Sequence, residues 1–126
     1  MSTTPIDVVR AFISALENKD FDTALALVSD DCEYDNVPMN KVHGPAGIRG
    51  VLEPFLGGCG AVEWVIVREA ADGPIVFNER IDRFHLAHGW AELPVNGVWE
   101  VHEGKITLWR DYFDVLSFQK AFAPPA

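Results

Sequence analysis

Three polar residues stand where an apolar pattern leaves little room for them. Arg80 and Asp82 lie two apart in "IVFNERIDRF", and Asp111 lies among large aromatics in "LWRDYFDVLSF". An unpaired carboxylate buried in such a setting is costly or takes up a proton. Side chains alternate along a strand, so Val76, Asn78, Arg80, Asp82 and Phe84 share one face. Thr107, Trp109, Asp111 and Phe113 share another, and in the strand between, Leu93, Val95, Gly97, Trp99 and Val101 do the same. If these faces line one cavity, the five donors of Arg80 can fork to both carboxylates at once. Two readings follow from alternation alone. One is a structural role, as a buried ion-pair network or with the charges turned to solvent. The other is an acid and a base set side by side for work on a neutral small molecule.

The elements that must position these groups are legible in outline. "TTPIDVVRAFISALENKD" opens with Thr4 as a cap, Pro5 at the first helical position and Asp7 in the first turn. Val8, Val9, Phe12, Ile13 and Leu16 then form a stripe at helical spacing. "FDTALALV" reads as a second, short helix and "GPAGIRGVLEPFLGG" as a third, with a short strand or extended segment, "DDCEYDNVPMN", between them. After Gly60 the pattern turns to four strands: "AVEWVIVREAA", "IVFNERIDRFHLA", "AELPVNGVWEVHEG" with a bulge or bend around Pro94 to Gly97, and "KITLWRDYFDV". "LSFQKAF" is a closing helix, with Asp114 as its cap. Helices first and hairpin-linked strands after them predict an α+β fold, with helices on one face of a mixed or antiparallel sheet. Arg110 has the parity opposite to Asp111 and is expected at solvent or an interface.

A chain of 126 residues suits one domain, so residues 1–126 are read as a single unit. A hydrophobic fraction of 48% supports a real core and argues against disorder. The net charge of −9 disfavours a nucleic-acid surface, which needs clustered Lys and Arg. No apolar run approaches the ~18 residues of a membrane span, and the amino end has no secretory pattern. Cys32 and Cys59 have no metal-ligand spacing. The expectation is a soluble protein of the reducing cytoplasm. His85 and His88 fall on opposite faces of a strand, which disfavours a shared metal, and Gly44, Gly47 and Gly50 form no phosphate loop.

Three segments together resemble the limonene-1,2-epoxide hydrolase family. They are "EYDNVP" with Tyr34 and Asn36, "NERID" with Arg80 and Asp82, and "WRDYFD" with Asp111, in the family's order and at similar separations. The resemblance implies a curved mixed β-sheet wrapped by helices, a cone like nuclear transport factor 2, ketosteroid isomerase and the SnoaL-like proteins, enclosing a deep apolar pocket. It implies hydrolysis of a small hydrophobic epoxide to a vicinal diol in one step, with no covalent intermediate, metal or cofactor. Asp111 is then the base, Tyr34 and Asn36 position the water with it, Asp82 is the general acid and Arg80 bridges the two. Expected pocket-wall residues are Ile13, Leu16, Met39, Phe55, Val76, Phe84, Leu93, Val95, Phe113 and Phe118. The Gly-rich "LGGCG" is read as a loop helping to cover that pocket. The resemblance and the aromatic content imply a homodimer. Competing readings are an isomerase or polyketide cyclase of the same cone fold, which needs a lone carboxylate base, and a non-catalytic small-molecule-binding dimer module.

Overall fold

The computed structural model describes residues 4–124. Helix α1 (Pro5–Glu17) begins at a capping box, in which the Asp7 N–H donates to the Thr4 hydroxyl and the Thr4 N–H donates to the Asp7 carboxylate, each at 3.2 Å. Its stripe buries Val8, Val9, Phe12, Ile13 and Leu16 as the spacing predicts. Helix α2 (Phe21–Leu25) follows, then strands β1 (Val28–Val37) and β2 (Lys41–His43) and helix α3 (Gly44–Gly57). Strands β3 (Val62–Asp72), β4 (Ile75–Leu86), β5 (Gly89–His102) and β6 (Lys105–Tyr112) come next, and helix α4 (Val115–Phe122) closes the chain. Asp114 caps α4 by accepting from the Ser117 N–H at 2.9 Å and the Ser117 hydroxyl at 2.7 Å.

The six strands form one curved sheet in the order β2-β1-β6-β5-β4-β3. Every neighbouring pair is antiparallel except β1 with β6, which is parallel, so the sheet is mixed. The expected α+β class holds. Helix α1 lies on the inner face, where Phe12 meets Trp99 and Trp109 edge-on at 5.8 Å and 5.1 Å. Glu103 and Gly104, both with positive φ, make the two-residue turn from β5 to β6.

Local readings differ from the sequence in three places. Helix α2 ends at Leu25, because Val28 is already the first residue of β1. The segment read as a short strand or extended is a strand, but a long one of 10 residues that starts at Val28 and is paired on both sides. No bulge interrupts β5 at Pro94–Gly97, where its register with β4 runs unbroken. Pairing of β5 with β6 starts only at Asn96, so Pro94 lies where no β6 neighbour needs its missing N–H. Register shifts fall instead between Glu100 and Val101 and between Ile66 and Arg68. The second one brings Glu69, rather than Arg68, opposite Asn78. Among the described residues, no helix is long and apolar enough to cross a membrane.

Candidate active site

Strand register assembles the site in rows. Asn36 of β1, Asp111 of β6, Gly97 of β5 and Asn78 of β4 stand side by side across four strands. The next row is Tyr34, Trp109, Trp99 and Val76. On the other side of the Gly97 row, Arg80 pairs with Val95 and Asp82 with Leu93. Arg80 and Asp111 are thus separated by a whole strand. Gly97 permits them to meet, because a Cβ there would stand 2.5 Å from Arg80 Nη1, 2.6 Å from Asn78 Oδ1 and 2.8 Å from Trp99 Nε1. The guanidinium occupies the space that a side chain at residue 97 would fill.

Arg80 is fully buried, and all five of its N–H groups are used. Nε and Nη2 donate to Asp82 Oδ1 and Oδ2 at 2.9 Å and 3.0 Å. Nη1 and Nη2 donate to Asp111 Oδ1 and Oδ2 at 3.2 Å and 2.9 Å. The remaining Nη1 hydrogen goes to Asn78 Oδ1 at 2.9 Å. Two bidentate forks on one guanidinium fix both carboxylates in position and plane. Asp111 Oδ1 also accepts from Trp109 Nε1 at 2.9 Å, and Asn78 Oδ1 accepts from Trp99 Nε1 at 3.1 Å. The indoles are held in turn by stacking: Trp109 lies between Trp99, with ring centroids 5.0 Å apart, and Tyr34, at 3.8 Å.

One cation faces two buried carboxylates, so the cluster is neutral only with one proton on the pair. Burial pushes the Asp82 carboxyl up to about 6, with Arg80 opposing the rise and Asp111 and Glu17 adding to it. Burial works against the charge on Arg80, but the two carboxylates outweigh it and hold the guanidinium above its ordinary range. Tyr34 is buried, and that burial, with the Asp111 charge next, drives its phenol well above the usual value. Tyr34 therefore stays a neutral hydroxyl able both to donate and to accept.

Four of the five polar residues expected at the site, Tyr34, Asn36, Asp82 and Asp111, line a single cavity of about 170 Å³, and Arg80 lies beneath the carboxylates. Met39, Phe55, Phe84, Leu93, Val95, Phe113 and Phe118 form its wall as expected. Ile13, Leu16 and Val76 do not. They belong to the core, because α1 packs on the Trp99–Trp109 row and seals the end of the inner face where Val76 lies. Residues Gly57 to Gly60 do not line the cavity either; the Gly60 N–H donates to the His85 carbonyl at 2.7 Å. Asn40, Val51, Leu52 and Trp64 also line it, beyond the residues the sequence points to. Strand parity with Val62 marks Trp64, and helical spacing to Phe55 marks Val51 and Leu52. The Asn36 N–H donates to the Asn40 carbonyl at 2.9 Å, so the chain doubles back there and brings Met39 and Asn40 to the cavity rim.

Arg110 has the outward parity expected of it and is one-third exposed, but it is paired along the sheet, with Glu33 at 2.9 Å and Asp35 at 3.4 Å. Cys32 and Cys59 are buried free thiols. Burial pushes Cys32 up to about 12 and raises Cys59 as well, which makes both poor nucleophiles. Among the described residues, no three His, Cys, Asp or Glu side chains are grouped to hold a metal ion.

Comparison with known proteins identifies the family and the fold. Residues 3–123 match the model of the limonene-1,2-epoxide hydrolase catalytic domain. Epoxide hydrolase EphG of Mycobacterium tuberculosis is 42% identical over 112 residues, which are 89% of this chain and 74% of that protein. A solved M. tuberculosis LEH-like epoxide hydrolase superposes with a TM-score of 0.83 at 41% identity, covering 93% of this chain and 87% of its own. A Catenulispora acidiphila protein of ketosteroid isomerase-like fold superposes with a TM-score of 0.84 over 98% of this chain and 96% of its own; at 20% identity, that likeness speaks for the cone fold alone. The chain belongs to the limonene-1,2-epoxide hydrolase family.

Proposed function

We propose that this member of the family is an epoxide hydrolase that adds water to a small hydrophobic epoxide in one step to give a vicinal diol. The observation that carries the reading is the double fork: one guanidinium holds two carboxylates at the floor of an apolar cavity; in this reading the pair shares one proton. Asp111 accepts three N–H donors and Asp82 two, so the proton rests on Asp82. Among the described residues, Asp111 Oδ2 accepts one bond, from Arg80 Nη2, and keeps capacity for a water.

In this mechanism, Asp111, Asn36 and the Tyr34 hydroxyl hold the water. Its oxygen bonds to an epoxide carbon as the ring C–O bond breaks. Asp111 takes the proton that the water loses, and Asp82 gives its proton to the departing oxygen. Moving one proton from Asp111 to Asp82 restores the starting state. Every proton and charge in this sequence belongs to the chain or the substrate, so the reaction draws on no metal or cofactor. Positioning supplies much of the rate, because attack needs water, carbon and leaving oxygen in line. The low dielectric of the cavity strengthens each of these hydrogen bonds.

The whole chain acts as one domain in this reading. A homodimer is part of it: Val65, Phe77 and Tyr112 leave apolar area exposed on the outer sheet face, which a second copy would cover. The buried free thiols fit a reducing cytoplasm.

The test is diol formation from limonene oxide, cyclohexene oxide and styrene oxide by wild type and Asp111→Asn in parallel. Turnover by wild type alone is the expected result. Equal turnover by Asp111→Asn, or none by folded wild type, contradicts the reading.

A further inference from the structure

Two buried polar atoms on adjacent strands have no partner among the described residues: Asn78 Nδ2, a donor, and Glu69 Oε2, an acceptor. Their residues stand directly opposite each other on β4 and β3. At that spacing, opposed Cβ atoms are about 4.5–5.5 Å apart on a shared face. A direct N–H···O bond, or one bridging water, would satisfy both atoms, and buried polar groups in folded proteins are nearly always satisfied. The other Glu69 oxygen pairs with Arg10 of α1. The other end of the Asn78 amide, Oδ1, already accepts from Arg80 Nη1 and Trp99 Nε1. Asn78 does not line the cavity. It lies behind the acid–base pair, between the guanidinium and the surface ion pair.

We propose that Asn78, anchored by Glu69, is a positioning residue for Asp82 and Asp111: it closes the donor shell of Arg80 and fixes the plane in which the guanidinium holds both carboxylates. The catalytic part of this proposal rests on the hydrolase reading. Without Asn78 Oδ1, one buried N–H of Arg80 has no acceptor, and the fork loses its third point of support. The neutrality of the amide matters as much as its shape. A carboxylate at residue 78 would be a third negative group on one guanidinium. Asp82 already faces Arg80 and Asp111 within the sheet and the charge of Glu17 from α1. One more would raise the pH at which it gives up its proton.

The experiment pairs steady-state kinetics with a ¹³C-carboxyl NMR titration of Asp82 in wild type, Asn78→Ala, Asn78→Asp and Glu69→Ala. Asn78→Ala is expected to lose about 10- to 100-fold in kcat, the scale of a lost supporting partner, with KM within about twofold. Glu69→Ala is expected to show a smaller loss with the same sparing of KM. Asn78→Asp, nearly isosteric, is expected to move the Asp82 titration to higher pH. An Asn78→Ala enzyme within about twofold of wild type in kcat overturns the proposal. So does an Asp82 titration unmoved in Asn78→Asp, which alone decides the matter if Asn78→Ala does not fold. A Glu69→Ala protein that matches wild type in both readouts overturns the Glu69 anchor. The titration needs no substrate, so a wild type inert on every epoxide sinks the hydrolase reading while leaving the position of Asn78 to be judged separately.

Discussion

Gly97 lies flat beneath the Arg80 guanidinium, with room for a hydrogen and none for a methyl: a Cβ would stand 2.5 Å from Nη1. The neighbouring strands place Asn78 on one side of Gly97 and Asp111 on the other, so no small shift makes space. Gly97→Ala is expected to displace the fork and lower kcat at least tenfold. Overpacking of this kind costs about 1–3 kcal/mol of stability. Kinetics and urea unfolding of the folded variant check both effects. Unchanged kcat would mean that the guanidinium can move without loss of function.

The pH dependence follows from Asp82. Its carboxyl is pushed up to about 6 by burial, against an ordinary value of about 3.9. The general acid must be protonated, so kcat is expected to fall as pH rises through about 6. The stability effect has the same sign. The folded state binds this proton more tightly than the unfolded chain, so the Asp82 contribution is fully present below about pH 4 and is lost as pH rises to about 6. Asp82→Asn removes that dependence. The stability of Asp82→Asn relative to wild type should therefore increase between about pH 4 and 7, as measured by urea midpoints across that range. A constant difference would contradict the raised carboxyl.

Trp109 stacks on Tyr34 and also donates to Asp111 Oδ1. Trp109→Phe keeps an aromatic face and removes the donor. A hydrogen bond to a charged group contributes about 1.5–3 kcal/mol, so kcat should fall about 10- to 100-fold with KM little altered. A change confined to KM would place the role of the indole in substrate binding instead.

Wall and core are separable by substitution. Leu93 lines the cavity, whereas Val76 is sealed beneath α1. Leu93→Ala should change KM and admit bulkier epoxides. Val76→Ala should cost about 1–3 kcal/mol of stability and leave KM as it is. The KM series across epoxides of rising size, read beside thermal unfolding, tells the two apart.

Much of this arrangement is legible in the sequence. Parity put Arg80 and Asp82 on one face with Asn78, and Asp111 on a face with Trp109, and each placement holds. The cap at Thr4 and the cap at Asp114 were readable from local chemistry. Parity says which face a residue takes and not which rows meet. The parallel pairing that sets Asn36 beside Asp111 joins residues 75 positions apart, and nothing local encodes it. Val76 was misplaced for the same reason: it shares the face of Asp82 but lies at the end that α1 covers. The link from Glu69 to Asn78 depends on a register shift after Ile66, which alternation carried through the strand cannot reveal.

Direct attack by water on the epoxide, with no ester formed on Asp111, is tested most directly by a single turnover in ¹⁸O-labelled water with enzyme in excess over epoxide. The predicted result is one ¹⁸O in all diol formed in that first turnover. Unlabelled first-turnover diol, with the label entering a carboxylate of the enzyme, would contradict it and make Asp111 a nucleophile rather than a base.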